Sequence, residues 1–192
     1  MRVHEGPARP LPVDDWCAPA SADEVELLAG LRGPVLDLGC GPGRLVVALG
    51  QLGIPALGVD ASPRAIGLAL AGGAAVLERS VFDPLPGEGR WPSVLLFDGN
   101  VGIGGDPVAL LARVMSLLAA TGIALVEVEP PGSPTTSTRA RLEWQDEAST
   151  WFPWAWVGAD GLDEMAGAAG FVRRRWRVVG RRWFAELMRA TT

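Results

Sequence analysis

Three glycines at alternate positions, Gly39, Gly41 and Gly43, follow an apolar run that ends near Asp37 and lead into a second apolar pattern, Leu45-Val46-Val47-Ala48-Leu49. The string VLDLGCGPGRL, residues 35–45, therefore reads as strand, turn and helix. Glycine tolerates positive φ and lets another molecule lie against bare backbone. With a helix starting just behind it, the turn is expected to offer unpaired N–H donors under a positive dipole end. The spacing narrows the ligand. A dinucleotide turn needs G-x-G-x-x-G. Counted from Gly39 the last position is Arg44, and counted from Gly41 it is Val46, so the pattern fails in both registers. What remains is D-x-G-x-G-x-G.

Further carboxylates close the apolar runs that come next. Asp60 ends Ile54-Pro55-Ala56-Leu57-Gly58-Val59, about 20 positions beyond Gly39, where a carboxylate can accept both ribose hydroxyls of a nucleoside. The same residue opens Asp60-Ala61-Ser62-Pro63, which also reads as a helix N-cap. Trp91 to Phe97 forms a strand suited to burial on both faces, ending in Asp98-Gly99-Asn100. Glu127 and Glu129 lie at the end of the next strand, Ile123 to Glu129, on one face of it. In open α/β sheets ligands bind outside the carboxyl ends of the strands, where strand order reverses. The Asp98 loop is thus expected opposite the glycine turn.

On these residues the chain resembles the class I S-adenosylmethionine-dependent methyltransferases, whose first motif is worded much like VLDLGCGPGRL. The resemblance implies a doubly wound α/β fold: a mostly parallel seven-stranded sheet with helices on both faces and an antiparallel C-terminal hairpin. It implies S-adenosylmethionine as cofactor, with S-adenosylhomocysteine as product, held by Asp37, Gly39, Cys40, Gly41 and Gly43 of the first motif and by Asp60 with Ala61. Asp98 and Asn100 match the fourth motif, which faces the methionine end of the cofactor and the acceptor. Relatives place an acid after the third strand for the adenine amino group, but here the chain reads Arg79-Ser80-Val81-Phe82-Asp83. Phe82 covering the ring, the Val81 and Phe82 backbone meeting its edge, or Asp83 are the alternatives. Methyl transfer from a sulfonium is an in-line displacement with a neutral leaving group, so positioning and exclusion of water carry most of the work. A base is needed only for a protonated acceptor. Asp98, Asn100 and Glu127 are the candidate catalytic residues, with Glu129 as a further acid.

The rest of the chain must position these groups. A length of 192 residues with 48% hydrophobic and 20% charged residues suits one packed domain, residues 21–192, behind an N-terminal arm of residues 1–20. The prolines of that arm argue for an extended segment rather than a helix. Its Trp16 serves either in a lid over the ligand or as a fastener. Ser21 with Glu24 has the form of a capping box for a helix over residues 22–31. Further helices are expected over residues 63–71, 107–120 and 159–168, and the last two strands over 172–179 and 182–188. The segment 130–157, with Arg139, Arg141, Trp144, Trp151, Phe152, Trp154 and Trp156, is either a substrate-side addition or hairpin packing.

Two cysteines and one histidine supply neither a disulfide framework nor a metal cluster, so no metal is expected. There is no long apolar run and no apolar signal centre in the arm, so a cytoplasmic protein without a membrane partner is expected. The net charge is -5 although all 17 basic residues are arginine, which favours a small-molecule acceptor over nucleic acid and leaves the oligomeric state open. Arg173, Arg175 and Arg177 are read as the solvated face of a strand that alternates with Val172, Arg174, Trp176 and Val178. Two other functions fit the same residues: a sensor or accessory protein that binds the cofactor without chemistry, and an RNA methyltransferase using the arginine strand.

Overall fold

The computed structural model describes residues 1–4, 13–144 and 147–190; the arm prolines Pro7, Pro10 and Pro12 and the side chain of Trp144 lie outside the described set. The chain opens with β1 (Arg2–Val3), α1 (Val13–Cys17) and α2 (Ala22–Ala29). It then alternates β2 (Val35–Leu38), α3 (Arg44–Gln51), β3 (Ala56–Asp60), α4 (Pro63–Ala71) and β4 (Val76–Glu78). After β5 (Trp91–Leu96) come α5 (Pro107–Leu117) and β6 (Leu118–Val128). The substrate-side segment holds β7 (Thr136–Arg141), a small hairpin of β8 (Glu143–Trp144) and β9 (Glu147–Ala148), and β10 (Phe152–Trp156). The chain closes with α6 (Ala159–Ala168), β11 (Phe171–Val179) and β12 (Arg182–Arg189).

Seven strands form one sheet in the order β11-β12-β6-β5-β2-β3-β4. Strands β2 to β6 run parallel, and β12 is inserted antiparallel between β6 and β11, giving the expected doubly wound sheet with a C-terminal hairpin. Strand order reverses between β2 and β5. Period-2 alternation explains why both faces are apolar. Leu36, Leu38, Val94 and Leu96 face the core under α5 and α6, with Leu110, Leu111, Val114 and Leu162. Val35, Leu95 and Phe97 face the other way, against Leu27, Leu28, Leu45 and Leu49 of α2 and α3. Each fully buried leucine contributes about 1.5–3 kcal/mol of transfer free energy. No helix among the described residues is long and apolar enough to cross a membrane.

Local signals set most helix ends. Ser21 and Glu24 form both bonds of the capping box. Helix α4 is capped by Ser62 with Pro63 behind it, and α5 by Asp106 with Pro107 behind it. Helix α2 stops at Ala29, where Gly30 takes over as C-cap, two residues short of the expected end.

Three expectations are corrected. The arm is not wholly extended: α1 forms at residues 13–17, with Asp14 and Asp15 in its first turn complementing the helix dipole. Helix α5 ends at Leu117, and Leu118 pairs with Trp91 in the sheet. The next pair is Ser93 with Ile123, so the residues between loop out of the ladder, and pairing to β5 overrides helical spacing. The arginine strand does not alternate throughout, because a bulge between Arg173 and Arg175 sends both Arg174 and Arg175 to Glu186. Beside the main sheet, β1 pairs with β7 and β7 with β10, so the arm and the 130–157 segment are built as one small sheet.

Candidate functional site

The glycine turn leaves β2 at the reversal point, with Gly39, Gly41 and Gly43 all at positive φ (77°, 54° and 84°). Its amides are not the free donors expected. Gly39 and Cys40 donate to the Val59 carbonyl, Gly43 donates to the Cys40 carbonyl, and Gly41 donates to Asp60 Oδ2 at 2.9 Å. The glycines instead allow close approach. A Cβ on Gly43 would lie 2.8 Å from Ala74 Cβ and 3.0 Å from Ala69 Cβ, and one on Gly39 would lie 2.6 Å from Asn100 Nδ2. A Cβ on Gly41 would meet nothing within 4 Å, so at this residue the backbone faces open space. Asn100 fixes the turn to the opposite loop by donating Nδ2 to the carbonyls of Leu38 (3.1 Å) and Gly39 (2.8 Å).

Asp60 is not the cap of α4, which is Ser62. Its Oδ1 accepts from the Ser62 amide at 2.8 Å while Oδ2 holds Gly41, so the carboxylate is fixed at the crevice rim. Asp37 is 1% exposed, and its Oδ2 has no hydrogen-bond partner among the described residues. Burial, helped by the charges of Asp98 and Asp60 against that of Arg44, pushes its pKa up to about 7. A buried oxygen without a donor costs about 1–3 kcal/mol, and Asp37 is one of the residues around the crevice. Cys40 is also buried, and burial with the charges of Asp37 and Asp60 raises its thiol pKa, so it remains a thiol.

Below the crevice lies a network of five charged side chains from five parts of the chain. Arg44, 7% exposed, donates to Glu24 Oε1 at 2.6 Å and to Asp98 Oδ2 at 2.5 Å. Arg182 donates to both oxygens of Glu127 at 2.7 Å, to Glu24 Oε1 at 2.6 Å and to Asp98 Oδ1 at 3.1 Å. Its guanidinium also lies over Phe184 and Phe97, at 5.1 and 5.8 Å from the ring centroids. Glu127 Oε2 further accepts from the Asp98 amide at 2.7 Å, holding Asp98 in the left-handed region at φ 56°. Three carboxylates thus share two guanidinium groups. Burial raises the Asp98 pKa against the lowering charges of Arg44 and Arg182, with smaller upward contributions from the charges of Glu127 and Glu24. Burial acts on Glu24 the same way, but hydrogen bonds from Arg182 and the Ser21 amide, with both arginine charges, hold it below the usual range.

Two cavities meet above this network. The smaller, about 120 Å³, is lined by Asp37, Gly39, Cys40, Gly41, Asp60 and Phe97 among others. The larger, about 820 Å³, spreads over Asp98, Glu127 and Glu129 and under the 130–157 segment. Trp16, Arg44, Asp98 and Asn100 line both. Alternation along β10 turns Phe152, Trp154 and Trp156 into the larger cavity, while Ala155 is buried on the opposite side. Trp151 goes elsewhere: its ring meets His4 edge-on at 5.6 Å and the guanidinium of Arg141 at 5.0 Å, fastening β1.

The structure brings Asp37, Gly39, Cys40, Gly41, Asp60, Asp98, Asn100 and Glu127 together around these cavities. Gly43 lies behind the turn. Ala61 is exposed beside Asp60, outside the enclosed crevice. Val81 is buried in the core and its carbonyl accepts from Arg113. The Phe82 amide donates to Ser80 Oγ at 3.3 Å, and the exposed Phe82 ring lies against Gly104. Sequence reasoning missed Glu24, Arg44 and Arg182. Arg44 directly follows the last glycine and was open to notice, but Arg182 reaches the site only through the C-terminal hairpin. Within the arginine run, Arg173 pairs with Asp163 and both Arg174 and Arg175 with Glu186.

Comparison with known proteins agrees with this geometry. Residues 16–173 match a family model described as a methyltransferase domain. No curated protein matches the sequence significantly. Among solved structures, an S-adenosylmethionine-dependent methyltransferase from Bacteroides fragilis, in complex with S-adenosylhomocysteine, aligns over 99% of this chain and 86% of its own with TM-score 0.82 and 19% identity. The 1,6-didemethyltoxoflavin N1-methyltransferase of Burkholderia thailandensis aligns over 89% and 78%, with TM-score 0.64 and 21% identity. The sugar N-methyltransferase KedS8 from a Streptoalloteichus species aligns over 99% and 98%, with TM-score 0.63 and 16% identity.

Proposed function

We propose, from the premise that the chain belongs to the S-adenosylmethionine-dependent methyltransferases, that it methylates a small-molecule acceptor bound in the larger cavity. The observation that carries this is the junction of the two cavities at Asp98 and Asn100, beside a buried Asp37 oxygen without a donor. Bound S-adenosylmethionine supplies a sulfonium methyl group, and the displacement leaves a neutral thioether. The residues present fit that molecule. The unpartnered Asp37 oxygen suits an ammonium group, the fixed Asp60 carboxylate suits ribose hydroxyls through its remaining lone pairs, and the bare backbone at Gly41 admits close contact. Ala61 and Phe82, both exposed and outside the enclosed crevice, are the residues that would be left to meet the base.

In this reading Asp98 and Glu127 are not free bases, because their oxygens are held by Arg44, Arg182 and the Asp98 amide. They position the loop that carries Asn100, and Asn100 in turn holds the glycine turn. Arg44 and Arg182 keep a mostly neutral, rigid floor between the two cavities, which favours alignment over proton transfer. Glu129 is a further half-buried carboxylate on the cavity wall, within the set that would act as base toward an acceptor carrying a proton. Trp16 lines both cavities from the arm, which suits a lid.

The neighbouring enzymes' small acceptors support a small-molecule substrate, and ion pairs take up Arg173, Arg174 and Arg175 of β11. Calorimetry with S-adenosylmethionine and S-adenosylhomocysteine tests the reading: micromolar binding that is weakened in Asp60→Ala is expected. Absence of binding, or equal binding in the variant, would reject it. Binding without methyl release against any acceptor would leave the sensor reading in place.

A further inference from the structure

The crevice and the larger cavity both lie at the carboxyl ends of the parallel strands. A further cavity, about 140 Å³, lies at the opposite end, beside Pro92 near the start of β5, Thr121 in the first part of β6, and Arg32 in the loop before β2. Its charged lining is four arginines, Arg32, Arg174, Arg175 and Arg177, with Glu186 as the one acid among the described residues.

The bulge in β11 gathers these groups. A regular strand would send Arg173, Arg175 and Arg177 to one face and Arg174 to the other. Instead Arg173 stands opposite Leu187 and bonds Asp163 of α6, while Arg174 joins Arg175 at Glu186, on the face where Arg177 stands opposite Phe184. Bulges re-aim side chains in this way. Glu186 is 2% exposed and accepts one bond from Arg174 (2.7 Å) and one from Arg175 (2.8 Å). Those two side chains stay 57% and 55% exposed, and each spends on Glu186 one of its five N–H donors. Arg32 is exposed, and neither it nor Arg177 has an ion-pair partner among the described residues. Arg177 lies against the C-terminal end of α2, its Nη1 3.5 Å from the position of a Cβ on Gly30, where helix carbonyls favour a cation.

One carboxylate therefore stands against four guanidinium groups. A cleft lined by one sign of charge concentrates the opposite ion, and guanidinium forks match the oxygens of phosphate. We propose that this cavity binds a compact, multiply charged anion of the phosphate class, a phosphate monoester or diphosphate group carried by a small molecule. Arg32 and Arg177 supply the charge that Glu186 leaves unmatched, and the remaining N–H groups of Arg174 and Arg175 complete the shell. Because Arg173 faces α6, the arginines converge on one point instead of forming a strip along a nucleic-acid backbone. The site is separate from the crevice, so both can be filled at once.

The test is calorimetric titration of the full chain at about 0.1 M salt, where loose surface attraction is largely screened. The probes are inorganic pyrophosphate and glycerol 3-phosphate, with acetate and a short single-stranded RNA as contrasts. Submillimolar binding of pyrophosphate, weaker binding of the monoester and none of acetate are expected, unaltered when S-adenosylhomocysteine is also present. Arg177→Gln should weaken pyrophosphate about tenfold, the loss of one charge-assisted contact, with an unchanged circular dichroism spectrum showing that the variant folds. Arg32→Gln, at an exposed loop position, should do the same and replaces it if Arg177→Gln does not fold. No pyrophosphate binding, acetate binding as well as pyrophosphate, or unaltered affinity in the folded variants would overturn the proposal. So would displacement of pyrophosphate by S-adenosylhomocysteine, which would put the anion in the crevice, or RNA binding more tightly than pyrophosphate.

Discussion

Asp37 gives a sharp test of how the crevice works. In the free protein its pKa lies at about 7, so at pH 6 only about one molecule in ten carries the carboxylate. If that carboxylate receives the ammonium group of the cofactor, binding selects the ionised form and lowers the pKa well below 7. Affinity for S-adenosylhomocysteine should then rise about tenfold per pH unit up to neutrality and level off above it, about 1.4 kcal/mol per unit. Nearly one proton should be released per cofactor bound at pH 6 and very little at pH 8. Calorimetry in two buffers of different ionisation enthalpy counts that proton directly. Asp37→Asn should abolish both the slope and the release while binding more weakly at pH 8. The same group carries a stability signature of the opposite sense. Its folded pKa is raised above the unfolded value of 3.8, so its contribution is fully present below that value and is lost as pH rises through about 7. The cofactor should therefore raise the melting temperature more at pH 8 than at pH 6. A flat affinity profile from pH 5.5 to 8, or an equal slope in Asp37→Asn, would refute the assignment of Asp37 to a cationic group.

Further outcomes follow from other parts of the site. Removing Arg182 in Arg182→Ala leaves three carboxylates around Arg44 alone; because Arg182 is 34% exposed, a loss of about 1–3 kcal/mol by chemical denaturation is expected rather than the larger cost of a dry pair, and the loss should shrink below pH 5 as the carboxylates protonate. Arg182→Lys should recover little, because one ammonium cannot replace a fork bonded to Glu127 on both oxygens. Gly43→Ala places a methyl against Ala69 and Ala74 at φ 84°, so it should destabilise by about 1–3 kcal/mol. Gly41→Ala meets open space, so it should cost about 1 kcal/mol of stability for its positive φ but at least tenfold in cofactor affinity, measured by titration. Asp60→Asn should weaken cofactor binding while α4 remains capped by Ser62, which circular dichroism would show as unchanged helix content.

The order of strands and helices, the capping box and the glycine turn were legible because each depends on neighbours within a few residues. Periodicity separates a strand buried on both faces, such as residues 91–96, from the helices beside it, and glycine spacing fixes the turn after β2. Asp37, Asp60, Asp98 and Glu127 could be placed near one another because parallel strands of a doubly wound sheet all end on the same side. Their states could not be read that way. That Asp37 lacks a donor while Asp60 holds both Gly41 and Ser62 depends on burial and on the exact path of two loops. Nor could the sequence show that the turn amides are already paired, since the partner of two of them is the Val59 carbonyl on the next strand.

The sequence by itself determined the sheet, the crevice and the identity of most groups around it, because hydrophobic period and turn chemistry are local properties of the chain. Only the tertiary structure decided what those groups are free to do. Arg182 comes to Glu24 across 158 positions and to Asp98 across 84, carried there by an antiparallel hairpin inserted beside β6. A carboxylate at a strand end is a candidate base until a distant guanidinium binds it, and such pairing over long chain separations leaves no periodic trace.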